Sequence, residues 1–187
     1  YWWWSGWSHV NRKFSIMVKK FFDLNNFSSS NWKLSIDNEK ILWVTLDCPG
    51  RSANILSNSV RDELDTFIDS FSPQNEVNEH FREVTGIVFK SNKASGFAAG
   101  ADITEFKALS GTADFIEKSR KMVIDGWNLY NKLEKLSNEI PTVALINGFC
   151  MGGGFEVALA CKYIVTIDQP KTKMALPEVQ LGIYPGW

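Results

Sequence analysis

Histidine is nearly missing from this chain: His9 and His80 are the only two among 187 residues, and neither lies in an informative context. That argues against catalysis by an imidazole base. Cysteine is scarce too. Cys48, Cys150 and Cys161 are odd in number and lack CxxC spacing. They point to a reduced intracellular compartment rather than a disulfide framework, and they leave a zinc site unsupported. Charge of one sign is also lacking. The formal net charge is −1, so no overall field draws the chain to nucleic acid or anionic lipid. No apolar run approaches the ~20 residues of a membrane span. What remains is an apolar fraction of 44% and a charged fraction of 22%, those of a globular protein long enough for one domain with a real core.

The first stretch stands apart in composition. Tyr1 to Trp7 holds five aromatics in seven residues, and the chain does not begin with Met. Met17 is a candidate start. Alternatively, Tyr1 to Phe22 is a presequence remnant, with Arg12, Lys13, Lys19 and Lys20 and no acidic residue before Asp23. Asn25 to Asn31 (NNFSSSN) reads as a polar linker. The expectation is a leader or disordered segment over 1–31 and one folded domain over 32–187.

Within that domain, Lys33 to Asp37 and Ile41 to Asp47 read as a hairpin turning at Asn38-Glu39, with Leu42, Val44 and Leu46 on one face. Ser57 to Phe71 carries Val60, Leu64, Phe67, Ile68 and Phe71 at helical spacing, ended by Ser72-Pro73. Gly86 to Lys90 reads as a short buried strand, and Ser91 to Gly100 as a small-residue loop too poor in apolar residues to be core. Thr112 to Leu136 reads as a long helix whose stripe of Phe115, Met122, Val123, Leu129, Tyr130, Leu133 and Leu136 faces the core. Strands at Thr142 to Ile146 and Tyr163 to Ile167 flank a further helix, Phe155 to Cys161. Strands alternating with helices make this an α/β layered fold.

The chemistry concentrates in Ile146-Asn147-Gly148-Phe149-Cys150-Met151-Gly152-Gly153-Gly154-Phe155-Glu156. A strand, a glycine turn and a helix start can aim backbone N–H groups at a developing negative charge. Three readings stay open for the turn. Glycines let a helix approach a strand closely. A dinucleotide turn would use Asp168, although the G-x-G-x-x-G spacing fails, and no Lys-Ser/Thr follows to make a P-loop. The third reading is an oxyanion hole. A second strand–loop–helix unit, Ser95 to Ile103 with Asp102 as a helix cap, offers another N–H. Glu156 lies one helical turn past Gly153, and Glu178 follows Pro177. Each carboxylate has a plain alternative, dipole complementation for Glu156 and an ordinary loop acid for Glu178. Anion donors with two carboxylates suit adding water or moving a proton next to a carbonyl.

Three stretches carry a family resemblance: GIVFKSNKASGFAAGADITEF (86–106), IPTVALINGFCMGGGFEVALACKYIVTID (140–168) and KMALPEVQLGIYPGW (173–187), with SANILS (52–57) as a weaker fourth. The chain resembles the enoyl-CoA hydratase/isomerase (crotonase) superfamily. Within it, the chain looks most like the N-terminal part of the α subunit of multifunctional fatty-acid oxidation complexes. The resemblance implies an α/β crotonase (ClpP/crotonase-like) fold of repeated ββα units. It implies oxyanion N–H donors at Ala101 and Gly153, catalytic carboxylates at Glu156 and Glu178, and a CoA path lined by Ala99, Asp102 and Ile103. The implied substrate is a CoA thioester, with no metal and no cofactor. NAD would serve only a dehydrogenase domain that lies outside this sequence. Implied partners are further copies of the chain or a thiolase β subunit, in a bacterial cytoplasm or, alternatively, a mitochondrial matrix. Family members continue past Pro185-Gly186-Trp187, so the expectation is a domain incomplete at its C-terminus. A non-catalytic acyl-CoA-binding or inactive fragment is the alternative.

Overall fold

The structure, a computed structural model, describes residues 27–71 and 83–186. The expectations on residues 1–26, on Ser72-Pro73, on His80 and on Trp187 lie outside the described residues.

Two strands, β1 (Trp32–Ile36) and β2 (Ile41–Leu46), pair antiparallel as the alternation predicts, with Leu34 opposite Val44. Asp37 sets the turn: its Oδ1 accepts the N–H groups of Glu39 and Ile41, and its Oδ2 accepts the Trp43 indole N–H at 2.8 Å. Helix α1 (Asn58–Asp69) follows, its first turn capped by the Ser57 hydroxyl. Strand β3 (Gly86–Ser91) runs parallel to β2.

The next segment corrects the reading of 91–100 as loop. Gly96–Ala98 is a strand, β4, and Phe97 and Ala98 are fully buried. Helix α2 (Ile103–Leu109) and helix α3 (Phe115–Glu139) follow. The core face of α3 is Met122, Gly126, Leu129, Tyr130, Leu133, Leu136 and Ser137. Phe115 and Val123, expected on that face, are exposed by 43% and 40%. Val123 sits one residue, about 100° of helix, away from Met122. Phe115 lies on the first two turns of α3, which bury no side chain.

Strands β5 (Thr142–Ile146) and β6 (Phe149–Met151), helix α4 (Gly153–Ala160), strands β7 (Tyr163–Thr166) and β8 (Lys173–Ala175), and a short 3-10 helix (Pro177–Leu181) complete the order. The large sheet is ordered β1-β2-β3-β5-β7, parallel except for β1, and the small parallel sheet β4-β6-β8. The first unit, β1-β2-α1, gives both strands to the large sheet; from β3 on, each repeat gives one strand to the large sheet, one to the small sheet and then helix. This is the repeated ββα architecture the resemblance implies. Leu42, Val44, Leu46, Ile87, Phe89, Ala144 and Ile146 of the large sheet belong to one core with Val60, Leu64 and Phe67 of α1 and Leu129 and Leu133 of α3. Trp32 fixes β1 to α1, its indole N–H donating to Val60 O at 2.9 Å.

Candidate active site

The small sheet positions the site, because the chain leaves β4, β6 and β8 directly into the expected residues. Ala99 to Ala101 follow β4. This segment is held by the buried Asn54, which the sequence reading did not single out beyond its place in SANILS. The Asn54 carbonyl accepts the Ala99 N–H at 2.9 Å, and Leu56 N–H donates to Gly100 O at 2.8 Å. The Asn54 side chain accepts from Cys48 N–H and lies within hydrogen-bonding distance of Leu46 O, Ser91 Oγ and Phe97 O. A buried amide satisfied on this many sides fixes the loop to both sheets.

Gly152 follows β6 and turns into α4 at φ 51°, a conformation that costs an L side chain ~1–3 kcal/mol. The helix has no side-chain cap, and the N–H groups of Phe155 and Glu156 close on Gly152 O at 2.7 and 3.1 Å. Close packing sets the helix against β4: a Cβ at Gly154 would stand 2.8 Å from Ala98 Cβ. No hydrogen bond among the described residues engages the N–H of Ala101 or of Gly153. Both remain available donors, Ala101 just ahead of the Asp102 cap of α2 and Gly153 as the first residue of α4, whose first N–H groups have no partner within the helix.

Glu178 comes from the 3-10 helix after β8, with Pro177 at its first position. Its Oε1 rests on Gly152, where a Cβ would approach to 2.6 Å. Its Oε2 is buried and has no hydrogen-bond partner among the described residues. A buried carboxylate oxygen without a protein donor is an acceptor suited to a donor from outside the protein. Glu156 is buried in the first turn of α4. Its charge raises the titration of the Tyr130 phenol, which burial, the larger cause, already pushes well above its ordinary value; Arg61 acts the other way.

One cavity of about 500 Å³ collects Ala99, Ala101, Ile103, Gly153, Glu156 and Glu178. Asp102, expected to line the same path, does not. Its buried carboxylate caps α2, accepting from Thr104 N–H at 2.9 Å, and faces Arg51 Nη2 at 3.5 Å. Phe106, Val123, Ile183 and Tyr184 also line the wall, and the sequence did not mark them as site residues. The spacing of Ile103 and Phe106 was a usable signal, since three residues apart they share one face of α2. A larger cleft, about 640 Å³, separates α1 from α3 and is lined by polar side chains such as Asp62, Asp125 and Lys132, with none of the expected site residues. No group of three or more side chains able to hold a metal occurs among the described residues. No helix among them is long and apolar enough to cross a membrane.

Known proteins resemble the chain in sequence and in fold. The profile described as enoyl-CoA hydratase/isomerase matches residues 37–187. The fatty acid oxidation complex subunit alpha of Aliivibrio fischeri is 36% identical over 163 residues, covering 87% of this chain and 22% of the relative. That of Idiomarina loihiensis is 35% identical over 153 residues, covering 82% and 20%. The chain thus spans about a fifth of the length of the curated relatives it matches. Among solved structures, an enoyl-CoA hydratase from Bacillus anthracis aligns with TM-score 0.66 at 25% identity, over 83% of this chain and 54% of that one. One from Bacillus halodurans aligns with TM-score 0.67 at 22% identity, over 83% and 57%, a likeness of fold. With the profile covering most of its length and its strand–strand–helix repeats matching those structures, the chain belongs to the enoyl-CoA hydratase/isomerase family.

Proposed function

We propose that this chain carries the hydration of a 2-enoyl-CoA thioester to the 3-hydroxyacyl-CoA, a step of fatty-acid β-oxidation. The observation that carries the reading is the convergence of two unengaged backbone N–H groups and two carboxylates on one cavity. In this reading the thioester oxygen sits between the N–H groups of Ala101 and Gly153. Water held by Glu156 and Glu178 attacks C3, the 2,3 π electrons move toward the carbonyl, and enolate charge collects on the oxygen. Each N–H donor stabilises that charge by roughly 3 kcal/mol. Glu178 accepts one proton from the attacking water and delivers a proton to C2 as the carbonyl re-forms, which returns both carboxylates to their starting state. Net, H and OH add across the double bond with no redox change. The same carboxylate, exchanging protons along the acyl chain, would serve 3-to-2 isomerisation.

The domain in this reading is 32–187, and its ligand is an acyl-CoA thioester. Similarity to bacterial subunits named for a fatty acid oxidation complex supports work in a bacterial cytoplasm with further copies or a thiolase β subunit as partners. The test is 2-enoyl-CoA hydration by the full-length protein beside Glu178→Gln, which keeps the shape and removes the proton exchange. Turnover should fall by roughly 10²-fold or more, with acyl-CoA binding retained. Unchanged turnover would remove Glu178 from the chemistry. A folded wild-type protein that binds acyl-CoA without turnover would make the site a binding module.

A further inference from the structure

Two side chains of α3 reach α4 at matching intervals. The Tyr130 hydroxyl donates to Gly153 O at 3.2 Å, at the first residue of α4. Ser137 Oγ lies 2.8 Å from Ala160 O, at its last residue. Tyr130 and Ser137 are seven residues apart, and so are Gly153 and Ala160. Seven residues are two turns, about 10.5 Å, so the helices run side by side in the same direction and are tied at both ends. The ties differ. Ser137 shares its one proton between Ala160 O and its own helix's Leu133 O, also at 2.8 Å. Tyr130 is buried, and its ring belongs to the hydrophobic core. Burial and the nearby Glu156 charge keep its phenol protonated, and so a donor, through the neutral range.

The Gly152-Gly153-Gly154 turn has no side chains with which to hold itself, and α4 lacks a side-chain cap. Its orientation must be imposed by neighbours. We propose that Tyr130 is a positioning residue: its hydroxyl pins the Gly153 carbonyl and so holds the first turn of α4, with the Gly153 N–H and Glu156, in one orientation toward the substrate. The catalytic consequence rests on the hydratase reading above, whereas the clamp itself does not.

The test compares Tyr130→Phe with wild type in the full-length protein. The variant keeps the ring and loses the hydroxyl. Turnover of 2-enoyl-CoA should fall about tenfold with KM changed by less than about twofold. The red shift of a bound 2,4-dienoyl-CoA, which reads polarisation of the thioester carbonyl, should shrink. Independently of any ligand, amide exchange at Phe155, Glu156 and Val157 should accelerate about fivefold while Ala144 in β5 is unchanged. Ser137→Ala serves as the comparison, lowering thermal stability but leaving the red shift intact. Unchanged exchange in the first turn of α4 would overturn the clamp, and accelerated exchange with unchanged turnover would overturn the positioning role. If wild type itself neither hydrates nor red-shifts the thioester, the hydratase reading falls and amide exchange alone decides whether Tyr130 pins Gly153.

Discussion

Replacing Gly152 with alanine separates strain from chemistry at this site. The backbone there has φ 51°, and an added Cβ would stand 2.6 Å from Glu178 Oε1. With ψ at −131° this positive-φ backbone lies outside the αL region, in a sparsely populated conformation that costs alanine ~1–3 kcal/mol, partly offset by ~0.4–1 kcal/mol from a less flexible unfolded chain. A net loss of about 1–2 kcal/mol lowers Tm by about 2–8 °C in a chain of this size. The collision adds a second effect. An ordinary carbon–oxygen contact is about 3.3 Å, so the carboxylate must retreat by about 0.7 Å. Misplacing a reacting group by 1 Å costs roughly 10²-fold, so turnover should fall roughly 25- to 100-fold. Gly50→Ala is the control: φ is 68° there too, but nothing lies within 4 Å of its Cβ. Both variants should lose Tm in a thermal melt, Gly152→Ala at least as much as Gly50→Ala because of the added collision. Only Gly152→Ala should lose hydration measured at the 2,3 double bond. Equal activity in the two variants would refute the claim that Gly152 makes room for Glu178.

Asp102→Ala should cost about 1 kcal/mol by urea unfolding near neutral pH, because it removes the cap of α2. Hydrogen bonding from the Thr104 hydroxyl, first, then its backbone N–H, and the charge of Arg51 hold the Asp102 carboxyl below its usual range. Its contribution is therefore present above about pH 4 and is lost as pH falls through the lower folded value, so the midpoints of wild type and variant should converge in acid. Burial pushes the thiols of Cys150 and Cys161 up to about 12. Iodoacetamide at pH 8 should leave both untouched in the native protein and label them in urea; rapid native labelling would contradict their burial. The same shift makes their contribution to stability present below about pH 8.5 and lost as pH rises toward the folded values, so a thermal melt series should decline on the alkaline side.

The parts of the fold legible in the sequence were those long enough to show a period. Leu42, Val44 and Leu46 alternate over a six-residue strand, and Val60, Leu64 and Phe67 repeat along a twelve-residue helix. The strands GFA, FCM and KMA have three residues each, too few for any alternation to appear. Their pairing is decided by backbone contacts between segments some fifty residues apart in β4 and β6, which no local pattern encodes. The same limit applies at the site. Glu156 and Glu178 stood out by residue type and flanking glycine or proline, and the resemblance supplied Ala101 and Gly153. Phe106 and Tyr184 did not stand out, since an aromatic residue facing a cavity looks the same in sequence as one facing a core. Asp102 caps α2 as the sequence suggested, while the further expectation that it lines the CoA path finds no counterpart in the cavity wall; a carboxylate that caps a helix is chemically the same as one that meets a ligand, and only its partners, Thr104 and Arg51, distinguish the two.

The order of the small sheet has a consequence for how the protein comes to be active. β6 lies between β4 and β8, and the two N–H donors follow β4 and β6 while Glu178 follows β8. The donors can therefore meet as soon as two strands are zipped, but the second acid cannot arrive until the third strand docks on β6 and Gly152 N–H reaches Ala175 O. Under the hydratase reading, a chain in which β8 were not paired with β6 would lack the second acid beside the two N–H donors. Competence would then depend on a strand of three residues, Lys173–Ala175, at the edge of the small sheet.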